Sequence, residues 1–141
     1  MKRTDVLLLV LSAAHGKSLT PVQLQKSLFL VGEKWPGITE DSFYEFEPHN
    51  YGPFCKIIYD DMELLEMADL VKIHKKAGRN WSEYSATEDG LEVASKLDVP
   101  ADVVNYVRKL VSTVKKLSFA DLVKAVYNKY PEFRLNSVFR G

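Results

Sequence analysis

Few residues of this chain could do chemistry: it holds one cysteine, Cys55, and three histidines, His15, His49 and His74. His49 and Cys55 flank the turn Tyr51-Gly52-Pro53. A thiol near a helix N-terminus has its thiolate favoured by the helix dipole, so a Cys–His nucleophile pair is one enzymatic arrangement the spacing permits. No third orienting group and no oxyanion donor set goes with it. A small apolar cysteine in a core, next to a turn histidine, accounts for both residues more simply. The histidines stand too far apart for the close ligand pairs of zinc sites. Gly16-Lys17-Ser18 ends like a phosphate loop but lacks the upstream glycine and the preceding strand. Glu45 and Glu47 alternate along a strand-like stretch, where a solvated face is commoner than acid–base catalysis. The expectation is a protein without catalytic residues, metal or cofactor.

Binding chemistry is better supplied. Lys56, Lys72, Lys75, Lys76 and Arg79, with His74, gather before and within a hairpin and could face phosphates. The helix before that hairpin, however, carries Asp60, Asp61, Glu63, Glu66 and Asp69, and its first turn is poor in base-reading side chains. Tyr44, Tyr51 and Phe54, with His49, Gly52 and Pro53, form an aromatic strand-turn-helix corner of the kind favoured in protein interfaces. The plainer alternative is that these rings fill the core beneath the turn. Arg108, Lys109, Lys115 and Lys116 share one side of a later helix and would suit an acidic partner or simple solvation.

These residues need elements to position them. Residues 4–14 read as a helix apolar nearly all round, hence central, ended by His15-Gly16. Thr20-Pro21-Val22-Gln23 is a capping box opening a helix to about Lys34. Leu24, Leu28 and Val31 lie on its apolar stripe, with Gln23, Lys26 and Glu33 off it. Phe43 to Glu47 is strand-like in composition. Gly52 suits positive φ, and Pro53 is placed to open a helix with Phe54, Ile57, Ile58, Met62 and Leu65 on one stripe. Val71 to Thr87 reads as a β-hairpin with its tip at Ala77-Gly78-Arg79-Asn80, followed by a helix from Thr87 through Leu97. After Asp98-Val99-Pro100, two helices follow, the second opening at Ser118-Phe119-Ala120-Asp121. Phe133, Leu135, Val138 and Phe139 of the tail are expected to pack back.

The plan is mainly α with a small β-hairpin: a winged-helix-like core over 1–97 and a C-terminal helical extension over 98–141 packed on it as one compact domain. The bulk numbers agree. The chain has 141 residues, 46% apolar and 27% charged, enough for a core without metal or disulfide staples. A single cysteine excludes an internal disulfide and fits a reducing compartment. Lys2 and Arg3 before Val6–Leu11 and Ser12-Ala13-Ala14 mimic a short signal peptide, but Asp5 borders the run, and a buried first helix uses the same residues. A cytoplasmic location with no membrane partner is expected. Net charge is zero overall, yet residues 1–70 hold 6 Lys/Arg against 11 Asp/Glu and residues 71–141 hold 13 against 8.

Several stretches resemble a known family. Leu24-Gln25-Lys26-Ser27-Leu28-Phe29-Leu30, Phe43-Tyr44-Glu45-Phe46-Glu47-Pro48, Tyr51-Gly52-Pro53-Phe54 and Tyr59-Asp60-Asp61-Met62-Glu63 look like the YwgA-like family of small prokaryotic proteins. More distantly they are similar to the Panacea domain of SocA-type antitoxins. The likeness spans about residues 4–97, with Tyr130-Pro131-Glu132-Phe133 adding to it. It implies a non-enzymatic module that binds a protein partner, such as a toxin or effector. A winged-helix DNA-binding transcriptional regulator is the alternative reading, and a Cys55-dependent enzyme a distant third. Oligomeric state is not legible.

Overall fold

Nothing along the middle of the first helix asks for water, and this decides where it goes. In the computed structural model, which describes residues 1–140, α1 (Arg3–Ser12) buries every residue from Val6 to Leu11. His15 and Gly16, at φ 53° and 83°, turn the chain out of it. The second helix, α2 (Pro21–Lys34), starts where its capping box says. The Thr20 hydroxyl accepts from the Gln23 amide, and the Gln23 side chain accepts from the Thr20 amide.

Two short strands, β1 (Glu47–His49) and β2 (Gly52–Phe54), pair antiparallel and lead into α3 (Ile57–Met67). The hairpin of β3 (Val71–Lys75) and β4 (Ser82–Ala86) follows, in register from Val71↔Ala86 to Lys75↔Ser82. Leu19 bridges Tyr84 through two backbone hydrogen bonds of 2.7 and 2.9 Å, tying the entry to α2 onto this hairpin. The chain continues through α4 (Glu88–Ser95), α5 (Ala101–Lys116), α6 (Phe119–Lys129) and a 3-10 turn, Pro131–Arg134. Among the described residues the fold is thus six helices and two small antiparallel hairpins. Val103, Val107 and Val111 of α5 join the same buried cluster as α1 and α2. No helix among the described residues is long and apolar enough to cross a membrane.

Thr87 shows how tightly the hairpin meets α4. Its hydroxyl accepts from the Gly90 amide at 3.0 Å and donates to the Asp69 carbonyl at 2.7 Å. A Cβ on Gly90 would stand 2.0 Å from the Leu70 carbonyl oxygen, so only glycine fits there without backbone movement. Gly90→Ala is expected to cost about 2 kcal/mol, as overpacking against backbone does. A chemical-denaturation midpoint checks this.

Several expectations need correction. Pro53 does not open a helix. It lies in β2 opposite Pro48, where neither residue has an N–H to lose from the ladder, and α3 begins only at Ile57. Gly52 does take positive φ, at 111°, but as the first residue of β2. Phe43 to Phe46 is not a strand, because no partner strand lies beside it. Its aromatic side chains anchor it instead, Phe46 edge-on to Phe29 at 5.4 Å and Phe43 against Gly32. Ile57 is off the buried stripe of α3, at 46% exposed. Leu135 and Val138 of the tail are exposed, while Phe133 meets Phe29 edge-on at 4.9 Å. Lys26, placed on the polar side of α2, is buried.

Candidate binding cleft

Gln25 is the residue that assembles the site. It lies one turn into α2, buried, and its amide group bonds both backbone groups of Cys55: Nε2 donates to the carbonyl at 3.0 Å, and Oε1 accepts from the N–H at 2.9 Å. A side chain thereby does the work of a neighbouring strand and clamps the β1–β2 hairpin to α2. Against the turn of that hairpin runs the C-terminal tail. The Val138 N–H donates to the Asn50 carbonyl at 2.9 Å, and the Ser137 hydroxyl, 2.6 Å from the Tyr127 hydroxyl, donates to the same carbonyl at 3.2 Å.

Between these parts opens a cleft of about 690 Å³. One wall is the start of α2, Thr20, Pro21 and Val22, with Gln25 and Lys26 behind it. The opposite wall is the turn from His49 to Phe54. Tyr59 of α3, Asn80 and Trp81 of the β3–β4 hairpin, and Phe119 at the start of α6 complete it. The rings are coupled. His49 stacks on Phe54 at 4.4 Å, Phe54 tilts on Tyr59 at 6.0 Å, and Tyr59 stacks on Tyr84 at 5.9 Å. Tyr51 and Phe119 meet edge-on at 5.0 Å while staying 40% and 48% exposed. Burial raises the Tyr59 phenol above its ordinary value and pushes Tyr84 up to about 12, so both keep their protons at neutral pH.

Five of the six residues expected at the aromatic corner, His49, Tyr51, Gly52, Pro53 and Phe54, therefore line one cleft. Tyr44 does not. It is 5% exposed and donates from its hydroxyl to Asp61 Oδ2 at 2.7 Å, while Arg3 Nε donates to the same oxygen at 2.9 Å. The Arg3 guanidinium also lies 5.3 Å over the Tyr44 ring. Burial first, and the carboxylate second, raise the Tyr44 phenol far above its ordinary range. This triad fastens the 43–46 segment to α1 and α3 and is structural.

Cys55 is buried with its backbone held by Gln25, whereas His49 is exposed and stacked on Phe54. Among the described residues no three His, Cys, Asp or Glu side chains gather as a metal site would need. The basic candidates fall on the β3–β4 hairpin, the start of α3 and α5. Lys56 is exposed just ahead of α3, and Lys72 and Lys75 are exposed on β3. Lys76 stands 3.9 Å from Glu83, and Arg79 lies 4.8 Å over the Trp81 ring at the cleft edge. On α5, Arg108, Lys109 and Lys116 are exposed, but Lys115 donates to the Ser18 carbonyl at 2.6 Å.

The cleft also holds residues the sequence reading passed over: Tyr59, Trp81, Phe119 and, above all, Lys26. Lys26 is 2% exposed, and burial lowers its amine to about 8. A Cβ on Gly52 would come within 3.3 Å of both its Nζ and a Tyr127 ring carbon. Gly52→Val therefore meets a strained φ and an occupied space together, and is expected to cost about 2 kcal/mol in a denaturant melt. No protein-family model and no curated protein matches this chain.

Proposed function

We propose that this protein is a non-enzymatic interaction module and that the ring-lined cleft is where it holds a segment of a protein partner. The observation that carries the reading is the pair Tyr51 and Phe119, two large rings left exposed in a cleft whose lining, among the described residues, includes no Asp or Glu. Exposed rings gathered around a concavity are what partner anchors need, since they bury area at little entropic cost. The order of three helices and a β-hairpin suits a winged-helix-like core, with β3 and β4 as the wing. The resemblance to the YwgA-like and Panacea families favours the same class of role.

A duplex-binding role is less well supported. The exposed residues of α3 include Asp60, Glu63 and Glu66, which phosphates would repel, and the wing cations Lys76 and Arg79 already have neighbours. The test is to isolate the protein with a copurifying partner and measure that partner's affinity for variants that melt like the parent. Tyr51→Ala should weaken it at least about tenfold, as loss of an interface anchor does, while Lys75→Ala with Lys76→Ala leaves it unchanged. Unchanged affinity for Tyr51→Ala, or submicromolar sequence-selective binding of a DNA duplex, would overturn the reading.

A further inference from the structure

Among the described residues Lys26 is a charged side chain with no ion-pair partner. It sits in the second turn of α2, flanked by the buried Gln25 and Ser27, and shows only 2% of its surface. Buried ammonium groups are ordinarily paired, because taking one out of water is costly. Among the described residues the ion pairs lie elsewhere: Arg3 with Asp61, Lys76 with Glu83, Lys96 with Glu92 and the N-terminus with Glu40. Burial is what lowers its amine. Yet at neutral pH the amine keeps most of its proton, since its lowered value of about 8 still lies above 7.

We infer that the Lys26 ammonium is the anion-recognition point of the cleft, and that the occupant is an acidic peptide segment seating one carboxylate on Nζ with apolar or aromatic side chains beside it. This rests on the reading of the cleft as a partner site and names what the partner presents. Three observations select that chemistry. Among the described residues the lining carries no Asp or Glu side chain to oppose an incoming anion. Among the described residues Lys26 is the only Lys or Arg in the lining, which matches a monoanionic carboxylate better than a phosphate, whose several oxygens call for several donors. The remaining lining sets rings and aliphatic carbon beside the polar side chains of Thr20, Asn50 and Asn80, and a cavity of about 690 Å³ has room for side chains on either side of the charge. A buried ammonium that meets its counter-ion only in the complex also gives discrimination, because a neutral ligand would leave it unpaired.

The experiment titrates the full chain, followed by amide and lysine side-chain NMR, with N-acetyl-Phe-Asp-Phe-amide and with the Asn counterpart of that peptide. The Asp peptide should bind at least about tenfold tighter, moving Lys26, Tyr51, Gly52 and Phe119, and Lys26→Met should bind the two peptides equally. Equal affinity of both peptides for the parent protein would overturn the inference. So would sodium acetate moving the same signals at the same concentration, which marks a site for small anions. A wild-type protein that binds both peptides equally, and loses both with Tyr51→Ala, keeps the cleft as a partner site and removes only the role of Lys26.

Discussion

Lys26→Met should make the protein more stable at pH 7 while impairing its binding. The methionine keeps a flexible apolar chain of similar length in the same buried slot and removes the charge that burial penalises. The sign follows from the lowered amine. In the unfolded chain the amine titrates near 10.5 and in the folded protein near 8, so below pH 8 folding buries a proton-bound charge at full cost. Between pH 8 and 10.5 the unfolded state holds the proton that the folded state has lost, and stability gained from this group rises with pH. A displacement of this size corresponds to at most about 3 kcal/mol. The variant should therefore exceed the parent by about 2–3 kcal/mol at pH 7 and by little above pH 10.5. Denaturant melts of both proteins across that range check it. A variant less stable than the parent at pH 7 would mean that Lys26 has a partner within the fold.

Asp61→Ala should act in the opposite direction and through the core. Asp61 is 4% exposed, and one carboxylate oxygen receives both the Arg3 guanidinium and the Tyr44 hydroxyl. Removing it strands a buried phenol and a partly buried guanidinium, the situation in which breaking a pair costs far more than the pair contributes. The expected loss is about 3 kcal/mol, or roughly 10 °C in melting temperature for a chain of this size. Tyr44→Phe, which removes one donor and leaves the Arg3 pair, should lose about 1–2 kcal/mol. Calorimetry on the three proteins orders them, and neither variant should alter peptide affinity once folded, since Asp61 and Tyr44 lie outside the cleft lining.

Much of the scaffold was legible because local chemistry determined it. The capping box at Thr20, the cap at Thr87, the all-apolar run from Val6 and the alternation of Val71 and Ile73 each formed the element their chemistry favours. The errors share a cause: a partner remote in sequence. Nothing local to Tyr51-Gly52-Pro53 announces that Gln25, 30 residues earlier, will bond both backbone groups of Cys55 and hold Pro53 in a strand. Tyr44 looks like any other exposed-turn aromatic until Asp61, 17 residues on, and Arg3 meet it. Lys26 falls on the polar side of a helical wheel only while α2 is taken to face one neighbour. In the fold α2 is covered by α1, α5, α6 and β2, so polar residues between Leu24 and Leu28 are buried too. The polar run Gln25-Lys26-Ser27 inside an otherwise apolar segment was the available signal. Nor did spacing foretell that Trp81 and Phe119 would join the corner, since each reaches it from a separate element.

We propose this cleft, with its exposed rings and its buried lysine, as the surface that meets the partner. Site-specific photo-crosslinking tests it most directly, with a photoreactive phenylalanine analogue placed at Tyr51, and in a second protein at Arg108 on the exposed face of α5. One discrete protein should be captured from position 51 and none from position 108, and the position-51 adduct should be lost when Lys26→Met is added. An adduct from position 108 but not from position 51 would contradict it and move the partner to the basic face of α5.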